Sequence, residues 1–346
     1  MTVLKLGSLF DGIGVFPLAA MHCGMEPVWA SEIEARPISI TKRHFPDMLH
    51  LGDITKISGA EIPPVDVITF GSPCQDLSQI GTRNGFAGKK SSLFYQAMRI
   101  IEEMRYATNG RYPAFCIWEN VAGAFSSNDR LDFAAMLRAF TGAEVSVPSR
   151  GWAHAGMVRG GCADTAWRLL DAQYWGEPAL VQRRKRVFVV ADFAGQRAGE
   201  VLFKPRTVLP FSAAGGPGGL SATQRGGVPA AQTGRQVPIV RPFSLRRMRT
   251  MAQVGDQKGF CASFGRGGEP FPTLLASVTA PFSFWYEGEE SDGFLRVLTP
   301  LECERLMGLP ENWTKYGCKN EEISDHARYR ALGNSIALPC AEYVMA

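Results

Sequence analysis

Val3-Leu4-Lys5-Leu6-Gly7-Ser8-Leu9-Phe10-Asp11-Gly12-Ile13-Gly14 lies near the start of the sequence, and its reading decides the fold class. Residues 3–10 read as a strand, 11–14 as a turn, and 15–21 as a helix stopped near Gly24. The same alternation continues outward. Val28-Trp29-Ala30 reads as a second strand ending at Ser31-Glu32, and 33–44 as a helix. Residues 50–54 and 65–70 read as the third and fourth strands, 93–104 as a helix, and 115–118 as the fifth strand. Residues 131–140 read as a further helix and 186–191 as a later, wholly apolar strand. Nearly continuous apolar strands alternating with helices predict an α/β chain with a doubly wound, mostly parallel sheet covered on both faces.

The pattern stops after Asp192. Residues 211–236 hold seven Gly, two Pro and no acidic residue, the composition of a flexible loop. The basic run Arg241-Pro-Phe-Ser-Leu-Arg-Arg-Met-Arg249 follows, then Gly-rich turns with β-like segments to about residue 286. Residues 301–307 and 337–344 read as helices.

Bulk numbers agree with this division. The 346 residues suggest two domains, at roughly 100–200 residues per domain. With 45% hydrophobic and 20% charged residues, wholesale disorder is excluded. No apolar run approaches the ~20 residues of a membrane span, and Asp11 interrupts the start too early for a secretory signal. Eight cysteines include no CxxC pair, so neither a zinc site nor a disulfide framework is expected. We expect a reducing, cytoplasmic setting, no metal and no membrane partner. The net charge of +4 is unevenly spread: residues 195–260 carry ten Lys/Arg against two Asp/Glu, leaving the remainder net −4. A basic segment on an acidic body points to a polyanionic partner.

Several short motifs carry chemistry. Strand, Gly12-x-Gly14, helix, then Glu32 after the next strand is a nucleotide-cofactor arrangement. Glycine admits close backbone approach, and the carboxylate can accept from ribose hydroxyls. The pattern is not a full GxGxxG, since Pro17 holds the third position. Asp53 ends the third strand, where such sheets bind ligands, or serves only as a helix cap. Gly71-Ser72-Pro73-Cys74-Gln75 places a cysteine just past the fourth strand, where it is an accessible nucleophile or inert filler. Trp118-Glu119-Asn120-Val121 follows the fifth strand. Gln182-Arg183-Arg184-Lys185-Arg186 precedes the last apolar strand; it can grip phosphate or carboxylate, or form a solvated basic turn.

Taken in order, these segments resemble the DNA (cytosine-5)-methyltransferases of the compact bacterial or bacteriophage type. The resemblance rests on Leu9-Phe10-Asp11-Gly12-Ile13-Gly14, Glu32, Gly52-Asp53-Ile54, Gly71-Ser72-Pro73-Cys74-Gln75, Glu119-Asn120-Val121 and Gln182-x-Arg184-x-Arg186. It continues through Arg296-x-Leu298-Thr299-Pro300-x-Glu302-Cys303 and Gly333-Asn334-Ser335. Two departures stand out. Val15 replaces a customary Gly, and three residues separate Pro178 from Gln182, where the family commonly has them adjacent.

The resemblance implies a Rossmann-like, S-adenosylmethionine-dependent methyltransferase fold with a smaller, irregular β-rich target-recognition domain. It implies a catalytic and cofactor-binding domain over 1–194, a recognition domain over 195–322, and a returning segment over 323–346. The implied reaction transfers a methyl group from S-adenosyl-L-methionine to carbon 5 of a flipped-out cytosine in duplex DNA, leaving S-adenosyl-L-homocysteine. Cys74 is then the nucleophile, Glu119 holds the base, Asn120 lies beside it, and Arg184 and Arg186 contact base or backbone. Phe10, Gly12, Ile13, Gly14, Glu32, Ile33, Asp53, Ile54, Pro73, Leu93, Asn334 and Ser335 line the cofactor. Gln75, Ser78, Lys89 and Lys90 on the loop after Cys74, with Arg246, Arg247 and Arg249, meet DNA. The expected partners are double-stranded DNA and a cognate restriction endonuclease, with the chain itself a monomer. The alternatives are an RNA (tRNA) cytosine-5 methyltransferase on the same fold, a catalytically silent DNA-binding protein, and a nicotinamide-dependent dehydrogenase resting on Gly12-x-Gly14 alone.

Overall fold

The structure is a computed structural model, and it describes residues 2–72, 93–204, 239–243, 273–274, 283–287 and 294–346. The chain divides into two compact units. The first comprises Met1–Leu170, Lys185–Arg206 and Leu338–Ala346, and the second Asp171–Arg184 and Thr207–Ala337.

The first unit starts with β1 (Lys5–Leu9), α1 (Val15–His22), β2 (Glu26–Ser31), α2 (Ala35–His44) and β3 (Leu49–His50). β4 (Val67–Phe70), α3 (Leu93–Ala107), β5 (Phe115–Val121) and α4 (Leu131–Thr141) follow. β6 (Ala155–Arg159), β7 (Asp164–Asp171), β8 (Lys185–Asp192) and α5 (Ala198–Leu202) lead toward the second unit. The strands form one sheet in the order β3-β2-β1-β4-β5-β8-β7-β6. It is parallel from β3 to β5 and turns antiparallel where β8 joins, with Trp118 opposite Val189. The sheet is therefore mixed, with the doubly wound half carried by β1 to β5.

Packing explains the alternation read from sequence. Val187, Phe188, Val189, Val190 and Ala191 have no exposed surface, as suits an inner strand covered on both faces. α3 buries Phe94, Ala97, Met98, Ile101 and Met104, an apolar face at helical spacing. Its Phe94 meets Trp118 and Phe140 edge-on, with ring centroids 6.3 and 5.9 Å apart. Gly7 is a requirement of this packing: a Cβ there would lie 2.2 Å from the Trp29 ring, which closes over β1.

One expected element is different. Residues 50–54 do not extend as a strand, because Gly52 turns the chain at φ +73. Asp53 then caps a single 3-10 turn over Ile54–Lys56, its Oδ1 accepting from Thr55 N at 2.9 Å. The β6–β7 hairpin was not anticipated. Its apolar positions are interrupted by Gly156, Arg159, Asp164 and Arg168, and antiparallel pairing supplies the order that periodicity does not show.

In the second unit, β9 (Ile239–Phe243), β10 (Ser283–Glu287) and β11 (Phe294–Val297) form an antiparallel sheet in the order β11-β10-β9. α6 (Pro300–Leu306) starts at a capping box in which Thr299 and Glu302 satisfy each other's backbone amides. α7 (Asp325–Asn334) follows, held by Arg328, whose Nη2 donates to the buried Glu304 Oε1 at 3.0 Å. The last helix, α8 (Leu338–Met345), belongs to the first unit. It packs on α1, and His22 Nδ1 lies 2.6 Å from Glu342 Oε1.

Candidate active site

The carboxyl ends of β1, β2, β4 and β5 place two clusters on the first unit. The first is the turn after β1. Phe10 takes φ +54 and Gly12 φ +59, the left-handed region that a bulky side chain such as Phe rarely adopts. Glu32 ties this turn to the end of β2. Its Oε2 accepts from Gly12 N at 2.9 Å, and its Oε1 accepts from Ile33 N at 2.7 Å and Glu34 N at 2.9 Å. A Cβ on Gly12 would meet nothing within 4 Å, so the space beside the turn is open to a ligand. Asp53 is held below the usual carboxylate range by its hydrogen bonds from Thr55. Ile54 is buried, Ile33 is exposed, and Leu93 packs partly buried at the start of α3.

Asp11 stands on the same turn and was quoted in the motif without a role. It is buried, and the Ser8 side chain beside it favours its charged form. Burial, with Glu32 nearby, pushes its carboxyl up to about 7.

The second cluster joins β4 to β5 and β8. Ser72 is clamped from two sides: Trp118 Nε1 donates to its Oγ at 3.2 Å and Asn120 Nδ2 to its carbonyl at 3.0 Å. Gly71 lies so close to Glu119 that a Cβ would stand 3.1 Å from Glu119 Oε2. Arg186 Nε lies 3.0 Å from Glu119 Oε1, with both side chains largely buried. Gly71-Ser72, Glu119, Asn120 and Arg186 are thus brought together at one sheet edge. Ser72 and Trp118 are contributors that the sequence reading missed. A strand-end Ser followed by Pro-Cys and an indole in the next strand are the signal that was available.

Arg184 belongs to the second unit and is 1% exposed. Its Nη1 donates to Leu274 O at 2.9 Å, and its Nη2 to Gly333 O at 2.9 Å and to Ser335 O. Its own amide donates to Asp171 Oδ1 at 3.0 Å. In this structure the guanidinium therefore organises the backbone beside Asn334 and Ser335, at the end of α7. Pro73, Cys74, Gln75, Ser78, Lys89, Lys90, Arg246, Arg247 and Arg249, with the Gly-rich 211–236, lie outside the described residues. Among the described residues, no group of three or more His, Cys, Asp or Glu side chains could hold a metal, and no helix is long and apolar enough to cross a membrane.

Known proteins supply the family. The profile of the C-5 cytosine-specific DNA methylases matches residues 4–204 and 245–346. Type II methyltransferase M2.BsuMI of Bacillus subtilis is 25% identical over 99% of this chain and 74% of its own length. Type II methyltransferase M1.ScrFI of Lactococcus lactis is 26% identical over 97% and 75%. A relative from Escherichia phage P1, named as a DNA N-6-adenine-methyltransferase, is 24% identical, and this chain spans 61% of its length. Among solved structures, a DNA modification methyltransferase encoded in an E. coli prophage superposes with a TM-score of 0.58 at 17% identity, covering 99% of this chain and 97% of that one. The Schizosaccharomyces pombe Dnmt2 methyltransferase does so at 0.58 and 15%, covering 98% and 96%. These structures share the fold, a Rossmann-like methyltransferase sheet. With its family profile covering both ends of the sequence and most of what lies between, the chain belongs to the C-5 cytosine-specific DNA methylases.

Proposed function

We propose that the chain transfers a methyl group from S-adenosylmethionine to carbon 5 of cytosine in duplex DNA. The observation that carries this reading is the clamp on Ser72, beside Glu119 and Arg186 and two residues before Cys74. Cytosine carbon 5 is a poor nucleophile. Addition of the Cys74 thiolate to carbon 6 breaks aromaticity and makes carbon 5 enamine-like. Glu119 faces the ring nitrogen and exocyclic amine, and Arg186 holds that carboxylate as charge develops. Loss of the carbon-5 proton then expels Cys74 and restores the ring.

S-adenosylmethionine supplies the methyl group from its sulfonium. The residues of the first turn fit it: open space beside Gly12, the Glu32 carboxylate at the end of β2, and Phe10 and Ile54 for apolar contact. Asn334 and Ser335 complete the set by resemblance. Residues 1–194 and 323–346 form the catalytic body. Residues 195–322 read the target, with Arg246, Arg247 and Arg249 on phosphate or guanine. Gln75, Ser78, Lys89 and Lys90 close over the flipped base. The protein acts as a cytoplasmic monomer, in the type II DNA (cytosine-5-)-methyltransferase class, beside a cognate endonuclease.

The test uses the purified chain, radiolabelled S-adenosylmethionine, unmethylated genomic DNA and tRNA, with nucleoside analysis of the product. 5-Methylcytosine in DNA, lost in Cys74→Ser, is the expected result. N6-methyladenine, label only in tRNA, or full activity in Cys74→Ser overturns the reading.

A further inference from the structure

The turn after β1 and the Ser72 clamp occupy the carboxyl ends of the parallel strands in the first unit. At the amino ends of the same strands lies a pocket of about 340 Å³. Its floor takes Leu4 from just before β1, Val67 from β4, Phe115 from β5 and Val190 from β8, and its walls include Val201 of α5 and Val344 of α8. The floor is open to entry, since Leu4 is 46% exposed and Phe115 and Val201 are half-buried. These four strands are neighbours in the order β1-β4-β5-β8, so the floor spans about 14 Å, the reach of a medium-length alkyl chain.

The charged groups lining the pocket come from α5 and its flanks: Arg197, Glu200 and Lys204. Arg197 is fixed in place. Its Nε and Nη2 donate to Asp192 at 3.0 and 3.4 Å, and its Cζ lies 4.7 Å from the centroid of the Phe115 ring. Its Nη1 makes no hydrogen bond among the described residues. Lys204 Nζ lies 5.0 Å from the centroid of the Tyr343 ring, and no carboxylate among the described residues pairs with it. Burial holds its ammonium below the usual lysine range, as suits a cation short of a counter-ion. Glu200 is exposed, where water screens its charge.

We propose that this pocket binds a medium-chain carboxylate, with its alkyl chain across the strand starts and its carboxylate on Lys204 and the Arg197 Nη1. A neutral apolar molecule would cover the floor and leave Lys204 unpaired. A phosphate or a polyanion would pair with Lys204 and leave the floor bare. A carboxylate with an apolar tail satisfies both.

Calorimetric titration of the full chain with decanoate, hexanoate and decanol, all below micelle formation, tests this. One decanoate per chain is expected. Hexanoate should bind about 100-fold more weakly, since four methylenes are lost at about fourfold each. Decanol, which lacks the charge, should bind about tenfold more weakly. Lys204→Met should bring decanoate to within about twofold of decanol. Val201→Phe, which fills the pocket, should weaken both by about tenfold or more. Circular dichroism confirms that each variant is folded, and the comparison among the three ligands on the unaltered chain needs no variant. No binding at about 1 mM decanoate, several decanoates per chain, or equal binding of hexanoate or decanol overturns the assignment. So does displacement of decanoate by S-adenosylhomocysteine, which would place it at the other end of the strands.

Discussion

Arg186 Nε stands 3.0 Å from Glu119 Oε1, one residue reaching from β8 to its antiparallel neighbour β5. The pair is largely desolvated, so each charge depends on the other. Glu119→Gln keeps the shape and removes the charge. It should lower methyl transfer by about 10²–10³-fold, measured with radiolabelled cofactor, while S-adenosylhomocysteine affinity stays unchanged. Arg186→Lys keeps the charge but loses the planar fork, and should fall between the two.

Asn120 acts through Ser72. Its Nδ2 holds the Ser72 carbonyl, and its Oδ1 accepts from the Val121 amide at 2.8 Å. Asn120→Ala should loosen the approach to Cys74 and reduce kcat by about 10-fold or more, since small misplacements near a reacting centre are costly. Cofactor binding, read by calorimetry, should not move.

Arg184 is expected to matter through stability. Arg184→Met removes the donors to three carbonyls and leaves them buried. At about 1–3 kcal/mol per orphaned group, the second unit should unfold at markedly lower denaturant. Hydrogen exchange should place the loss around residues 333–335. Unchanged protection there would show that the carbonyls have other partners.

Asp11 makes stability depend on pH. Its carboxyl ionises at an ordinary 3.8 when unfolded and at about 7 when folded. Between those values the folded chain holds the extra proton. This contribution is therefore greatest at low pH and disappears as pH rises through 7. Relative to Asp11→Asn, the cofactor-free protein should lose about 2–3 kcal/mol between pH 5 and pH 8 in guanidinium unfolding. Glu32, the nearby titratable group, is common to both proteins, so the comparison isolates Asp11.

Much of this was legible because it rests on local rules. Apolar strands, glycine turns and the Glu119-Asn120 and Gly71–Ser72 strand ends mark β1 to β5 and the edge where chemistry gathers. What stayed hidden depends on long-range pairing. The β6–β7 hairpin has no clean alternation, and α7 buries Arg328 rather than an apolar stripe. For Arg184 the sequence suggests a contact with base or phosphate, and only the fold shows its guanidinium on the Leu274, Gly333 and Ser335 carbonyls, because sequence does not tell which cations find carbonyls. Asp11 was overlooked because an acidic residue beside a glycine turn usually stays solvated, and only the folded chain reveals its burial.

Gly7→Ala tests the packing under the first turn. The added methyl would collide with the Trp29 ring, and overpacking of this kind costs about 1–3 kcal/mol. A thermal scan should show a lowered midpoint, and an unchanged one would mean that the indole can shift away.

The pairing of α8 with α1 has a consequence for how the polypeptide is made. Residues 338–345 supply a wall of the unit that residues 15–22 begin. During synthesis the first helix must wait for the last, and the intervening Thr207–Ala337 segment is held at both ends by one unit. The first unit is therefore completed only once its last helix has been synthesised.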